Sequence, residues 1–151
     1  MTQIGEPVVR SVEVEAPPAT VFEFFVDARK LRRWLAVDAT LDARPGGVCA
    51  QLHEPADPRR GPFHMQGRFL EVDPPHRVVF TWGFAEPEVG VAPGSTVVEV
   101  TLAPLRDGAA TRVRLVHRDL PAPAVGDHAR GWTEMLDRLV RAVTLVEEED
   151  V

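Results

Sequence analysis

The chain offers few side chains that could bind a metal ion through nitrogen or sulfur, namely one cysteine and five histidines. Cys49 and His53 are four residues apart, but on a β-strand that spacing separates them by about 13 Å at ~3.3 Å per residue, which is too far for one ion. The remaining histidines form no paired ligand motif; they are His64, His76, His117 and His128. We therefore expect no metal site and no cofactor.

A nucleophilic centre is equally hard to find. The sequence has no Gly-x-Ser-x-Gly motif, and Cys49 has no neighbour in sequence that would obviously activate its thiol. A small apolar residue in the core is the simpler interpretation of this cysteine. As the only cysteine it forms no intramolecular disulfide. No catalytic residue is identified, and we expect a binding protein rather than an enzyme.

His117 is the most informative titratable residue. It ends a predicted strand on the same face as Val113 and Leu115, so its side chain should point toward the C-terminal helix. It could contact a ligand or act as a general acid or base. It could instead bond a backbone carbonyl in the following turn. We favour the structural role, because the sequence shows no partner carboxylate.

The three tryptophans lie on three different predicted elements. Trp34 belongs to a helix pair, Trp82 to the sheet and Trp132 to the long helix, which are the layers that would surround a cavity. Pocket walls are mostly apolar and aromatic, but a tryptophan between helix and sheet is as often plain core. Both interpretations stay open. The candidate ligand-binding residues are Trp34, Met65, Phe69, Phe80, Trp82, His117, Trp132, Met135 and Leu139.

The elements that must position these side chains follow from hydrophobic periodicity. Residues 8–15 alternate as a strand, an apolar stripe after Pro17-Pro18 predicts a short helix, and Asp27 can cap a second one. From residue 37 the period is two, with turns at 45–47, 73–75 and 105–108 and longer loops at 54–62 and 85–95. Six further strands are expected.

The final segment predicts a long helix over residues 124–144. Its apolar residues recur at spacings of three and four from Ala129 to Val143. The acidic residues 147–150 are unfavourable at the C-terminus of a helix, where the helix dipole is negative, so this end should fray. We predict one domain over residues 1–151, with an ordered core of about 8–146 and an acidic tail at 147–151.

The composition of the chain excludes several classes of protein. The formal charge of −6 argues against a nucleic-acid binder. No apolar run is long enough for a signal peptide or a transmembrane span, so we expect a cytoplasmic protein without membrane contact. Sixteen arginines stand against one lysine, and asparagine and tyrosine are absent, which indicates a GC-rich bacterial genome. The oligomeric state stays open.

The order β, α, α, six strands, α is typical of the α+β class. A curved antiparallel sheet of six to seven strands cannot bury its inner face alone. The long C-terminal helix is the only large apolar surface available to cover it. We therefore expect this helix to lie across the sheet.

Several segments are similar to one known family. They are Ala16-Pro17-Pro18 with Val21-Phe22, Arg33-Trp34, the run EVDPPHRVVFTW at 71–82, residues 111–117 with Leu120-Pro121, and Gly131-Trp132 with Leu136 and Leu139. Together they resemble the activator-of-heat-shock-ATPase-homologue branch of the SRPBCC (START-like) superfamily, over roughly residues 8–143. The resemblance implies a helix-grip fold, shared with birch-pollen-allergen-like and polyketide-cyclase proteins, with a cavity between sheet and helix.

Three functions are compatible with this resemblance. The first is non-catalytic binding of a small hydrophobic molecule in an apolar cavity. The second is an enzyme of the polyketide cyclase/aromatase or hydrolase type, and the third is a protein that modulates a chaperone or another partner. The eukaryotic chaperone activators carry an additional N-terminal domain, and nothing precedes residue 8 here, so we do not expect the chaperone role to carry over. Fold alone does not decide among them.

Overall fold

The computed structural model describes residues 3–55, 57 and 59–149, and only the backbone of residues 145–149. Within these residues seven antiparallel strands form one sheet, in which the strands counted along the chain lie in the order 1-7-6-5-4-3-2. Two short helices follow the first strand, and a long helix ends the chain. The predicted α+β helix-grip architecture is confirmed.

The opening elements are β1 (Val8–Val14), α1 (Pro18–Val26) and α2 (Ala28–Leu31). Pro18 occupies the first turn of α1, where its missing N–H costs nothing. The Asp27 carboxylate accepts bonds from the backbone N–H groups of Arg29 and Lys30 and so caps α2. This confirms the predicted cap.

The remaining strands are joined largely by hairpins. They are β2 (Asp38–Leu41), β3 (Val48–His53), β4 (Phe63–Asp73), β5 (Arg77–Trp82), β6 (Thr96–Leu105) and β7 (Ala110–Arg118). A bulge between Phe69 and Glu71 shifts the β4–β5 register, and such bulges bend a sheet. The number of strands and their turns agree with the sequence pattern.

The loop at 85–95 is fixed to the sheet at both ends. The N–H of Phe84 donates to the carbonyl of Val91 at 2.8 Å, and that of Gly94 donates to the carbonyl of Gln66 at 3.0 Å. Gly83 makes this possible, because a Cβ there would lie 1.7 Å from the carbonyl oxygen of Ala92. Only glycine allows the loop to approach the sheet so closely.

The long helix, α3, spans Val125–Glu149. Trp132, Leu136, Leu139 and Val143 are buried along one side of it. The helix continues five residues beyond the predicted end at 144, since no glycine or proline follows Gly131 to stop it. The backbone of residues 147–149 is helical, whereas residues 150 and 151 lie outside the described part of the chain.

The core lies between the inner face of the sheet and the three helices. Its largest fully buried side chains include Phe24 and Phe25 from α1, Phe69 from β4, and Leu136 and Leu139 from α3. None of the described helices is long and apolar enough to cross a membrane.

Candidate functional site

An open cleft of about 1180 Å³ lies between the first half of α3 and the end of the sheet formed by β3, β4 and β5. Residues 54, 55, 59 and 60 of the loop after β3, the loop at 85–95 and the segment between β7 and α3 complete its walls. Its lining comprises Leu35, His53, Glu54, Pro55, Arg59, Arg60, Phe63, Trp82, Phe84, Glu88, Val89, Gly90, Pro121, Pro123, Ala124, Asp127, His128, Arg130, Gly131, Trp132, Glu134 and Met135.

The bottom of the cleft is aromatic. The rings of Trp82 and Trp132 lie 5.2 Å apart, and Phe84 meets Trp82 edge to face at 5.5 Å. The two tryptophans are only 4% and 3% exposed, so a molecule in the cleft would reach their upper edges. Half-buried His53, Phe63, His128 and Met135 surround this floor.

His117 lies beneath the floor and is completely buried. The indole N–H of Trp132 donates to its Nδ1 at 2.9 Å, so the ring proton must be on Nε2. Nε2–H then donates to Oγ1 of Thr96 at 2.8 Å, and the Thr96 hydroxyl donates to the carbonyl of Trp82 at 2.8 Å. Every polar side-chain atom in this series of hydrogen bonds has a partner. The expected backbone-carbonyl partner of His117 is thus replaced by two side chains.

His128, in the first turns of α3, is fixed in the opposite tautomer. Its Nδ1–H donates to the carbonyl of Ala124 at 2.9 Å, and its Nε2 accepts from the indole N–H of Trp82 at 3.3 Å. Its ring lies 5.3 Å from that of His117. Both histidines are therefore neutral, with their lone pairs occupied by tryptophan N–H groups.

A third histidine reaches the cleft from the end of β3. Cys49, Gln51 and His53 alternate on the inner face of that strand and are linked by side-chain bonds. The Gln51 amide donates to the Cys49 sulfur at 3.9 Å, and its oxygen accepts from Nε2–H of His53 at 2.9 Å. The His53 ring meets Trp82 and Phe84 edge to face at 5.4 and 5.8 Å.

Burial lowers the pKa of all three histidines. The pKa of His117 is lowered to about 3 and that of His53 to about 4, mainly by burial and also by the nearby His128. Burial also lowers the pKa of His128, against the opposing effects of the Ala124 carbonyl and of Asp127. The pKa of the Cys49 thiol is raised to about 12, mainly by burial. Cys49 is therefore an inert thiol rather than a nucleophile.

A smaller recess of about 160 Å³ adjoins the cleft and shares Leu35, His53, Glu54 and Met135 with it. Its other lining residues are Arg32, Arg33, Trp34, Ala36, Val37 and Arg138. Nη1 of Arg138 lies 3.8 Å from the sulfur of Met135. The site thus has an aromatic part and a polar part, which meet at His53 and Met135.

The rim of the cleft carries charges of both signs. Arg130 is paired with Asp127, and Arg59 with Asp57 at 3.1 Å. Glu54, Glu88 and Glu134 add carboxylates, and Arg60 adds a further guanidinium group. A rim with both signs does not select a ligand by net charge. In the part of the chain that the structure describes, no three His, Cys, Asp or Glu residues are grouped so that they could hold a metal ion.

The structure separates the predicted ligand-binding residues into three groups. Trp82, Trp132 and Met135 line the cleft, whereas Trp34 and again Met135 line the recess. Trp34 packs on Phe25 at 5.1 Å rather than on the other tryptophans. The remaining predicted residues line neither cavity and belong to the buried interior: Met65, Phe69, Phe80, His117 and Leu139.

Sequence reasoning missed three residues that line the cleft, namely His53, Phe84 and His128. A signal existed for each of them. His128 is four residues before Trp132 and so shares its helical face, and Phe84 continues the alternation of Trp82. For His53 the signal is the alternation of β3, which places it on the same inner face as Cys49.

A family model and several solved structures match this chain. The model, described as activator of Hsp90 ATPase homolog 1-like protein, matches residues 15–144. No curated protein matches.

A crystal structure of a protein from Chromobacterium violaceum is 26% identical over 91% of this chain and 96% of its own, with a TM-score of 0.75. The AHSA1 protein from Silicibacter pomeroyi is 23% identical over 93% and 99%, also with a TM-score of 0.75. DynU16, a protein in the dynemicin biosynthetic locus, is 22% identical over 93% of this chain but 48% of its own, with a TM-score of 0.74. The last two likenesses are at the level of fold.

Proposed function

We propose that this chain, which belongs to the family of activator of Hsp90 ATPase homolog 1-like proteins, binds a small, mainly apolar molecule in the cleft between its sheet and α3. One observation carries the proposal: the cleft ends on Trp82, Phe84 and Trp132, with half-buried side chains around them. Small-molecule sites are typically concave and aromatic, with a few polar groups to orient the ligand.

Binding without chemistry is favoured by the state of the histidines. A general base needs a free lone pair and a pKa near the working pH. The lone pairs of His117 and His128 are occupied by Trp132 and Trp82. These two histidines hold the floor in place and are not available to take a proton from a ligand.

The alternative is an enzyme in which His53 acts as the base. It is favoured by one observation, that His53 lines the cleft without a bond to its Nδ1 among the described residues. The lowered pKa of about 4 weighs against it, because a group with so low a pKa is a weak general base at neutral pH. Binding is therefore the better-supported function.

The test is a thermal-shift and native mass-spectrometry experiment with naphthalene as an uncharged aromatic probe. A ligand that binds only the folded state adds RT ln(1 + [L]/Kd) to the free energy of unfolding, about 2.7 kcal/mol at a hundredfold excess over Kd. We expect a saturable rise in melting temperature and quenching of tryptophan fluorescence. If naphthalene, indole and long-chain alcohols all leave both signals unchanged, the cleft does not bind apolar molecules.

A further inference from the structure

We propose that His53 accepts a hydrogen bond from the ligand, so that the cleft prefers an aromatic molecule carrying a hydroxyl group over the same molecule without one. This inference rests on the proposed function, since it assigns the chemical class of the ligand that the cleft would take. It follows from one ring nitrogen in the cleft that has no hydrogen-bond partner among the described residues.

The bond between His53 and Gln51 sets which nitrogen is the acceptor. The oxygen of the Gln51 amide can only accept, so Nε2 of His53 must carry the ring proton. Gln51 is buried, and its NH₂ group is directed to the sulfur of Cys49. In the neutral ring, Nδ1 then holds an unshared electron pair.

That nitrogen is accessible. Among the described residues no group donates to Nδ1 of His53. Every buried side-chain nitrogen or oxygen in the same part of the chain has a partner, so an unpartnered Nδ1 is not among the buried atoms. His53 is half-buried and lines both the cleft and the recess. A molecule placed at their junction can therefore reach it.

The other two histidines provide the contrast. His117 and His128 each have the acceptor nitrogen occupied by an indole N–H, from Trp132 and Trp82 respectively. Of the three histidines gathered around Trp82, only His53 can accept a bond from outside the protein. Its edge-to-face contacts with Trp82 and Phe84 fix the ring plane against the floor.

The charge state of His53 defines the class of ligand. The ring is neutral at pH 7, because burial holds its pKa at about 4. A neutral acceptor attracts an O–H donor rather than an anion. A phenol or alcohol on an aromatic body can satisfy both His53 and the floor, whereas the methyl ether of the same molecule has no O–H to donate and leaves the nitrogen unpaired.

Three probes that share one ring system test the idea: 2-naphthol, 2-methoxynaphthalene and naphthalene, titrated by calorimetry at pH 7. One net hydrogen bond is worth about 0.5–1.5 kcal/mol, so we expect 2-naphthol to bind roughly twofold to tenfold more tightly than 2-methoxynaphthalene. His53→Phe should remove this preference, so that 2-naphthol and its methyl ether bind equally well. His64→Phe, at an exposed histidine on the next strand, should retain the preference.

Gln51→Leu supplies a second variant that keeps His53 and removes the bond that sets its tautomer. The preference for 2-naphthol should shrink, with naphthalene binding unchanged. Equal affinities for 2-naphthol and its methyl ether in the unmodified protein would overturn the inference, as would a preference that survives in His53→Phe. If none of the three probes binds, the proposed function itself fails, and that outcome is distinct from equal binding.

Discussion

The indole N–H of Trp132 donates to Nδ1 of His117 at 2.9 Å, which joins α3 to the inner face of β7 by a buried polar contact. Trp132 and His117 are 3% and 0% exposed. The bond fixes the tautomer of His117, and through Thr96 it extends to the backbone of Trp82. These hydrogen bonds thus tie the helix to the cleft floor, in addition to the buried apolar side chains of α3.

Removing the acceptor should destabilise the fold. His117→Phe keeps an aromatic ring but leaves the Trp132 N–H buried without a partner, which costs about 1–3 kcal/mol. Thr96 still donates to the Trp82 carbonyl, so no second donor is orphaned. Urea denaturation measures the loss, and His76→Phe, at an exposed turn position, should change the free energy of unfolding by less than ~0.5 kcal/mol. Equal losses in the two variants would contradict this account.

Acid should destabilise the protein through the same histidine. The pKa of His117 is about 3 in the folded state against an ordinary 6.5, so the unfolded chain binds more protons between these values. The free energy of unfolding therefore falls as the pH falls below 6.5, by about 1.4 kcal/mol per pH unit for one such group.

His117→Gln removes this contribution and should flatten the dependence between pH 6.5 and 5 by that amount, as measured by urea denaturation at several pH values. His76→Gln is the control and should keep the slope of the unmodified protein. A slope that does not change in His117→Gln would mean that the histidine is not held neutral by the fold.

Filling the junction of cleft and recess should weaken binding without weakening the fold. Met135 is half-buried there, so Met135→Trp should change the free energy of unfolding by less than ~1 kcal/mol and abolish the stabilisation by naphthalene. Asp137→Trp places the same ring on the exposed side of α3 and should leave binding intact. Leu139→Trp overpacks the core and should cost about 1–3 kcal/mol. Naphthalene binding that survives Met135→Trp would place the ligand elsewhere.

Two glycines should respond to alanine in opposite directions. At Gly83 a Cβ would meet the Ala92 carbonyl oxygen at 1.7 Å, so Gly83→Ala must push the loop at 85–95 away and lower the melting temperature. At Gly131, within α3, nothing lies within 4 Å of the added carbon. Gly131→Ala should therefore stabilise the fold by about 1 kcal/mol, the difference in helix propensity. A stabilising Gly83→Ala would refute the close approach.

Most of the fold was predictable because it depends on local signals. The Asp27 cap, the turn at Pro45-Gly46-Gly47 and the alternation through Trp82 each involve residues close in sequence. The predicted end of α3 was wrong. The acidic residues after 146 are unfavourable near a helix C-terminus but do not stop the helix, and no glycine or proline follows Gly131.

The site was only partly predictable. Alternation correctly directed His117 toward the helix, but its partners Trp132 and Thr96 come from other elements. Which side chains meet depends on how far along the sheet α3 lies, and a period of 3.6 gives the face of a helix but not that position. The convergence of His53 and His128 across 75 residues of sequence is a product of this placement, and so is the burial of Phe69 and Leu139 away from the cleft.

The anchoring of the loop at 85–95 has a kinetic consequence. Val89 and Gly90 form part of the cleft mouth, and the bonds of Phe84 to Val91 and of Gly94 to Gln66 tie that wall to the sheet. If the proposed function holds, we expect a ligand to enter through a mouth that is already open, without a prior movement of this loop. Its association rate should rise linearly with concentration and show no plateau in stopped-flow fluorescence. The dissociation rate is then expected to depend on the contacts with the floor and with His53.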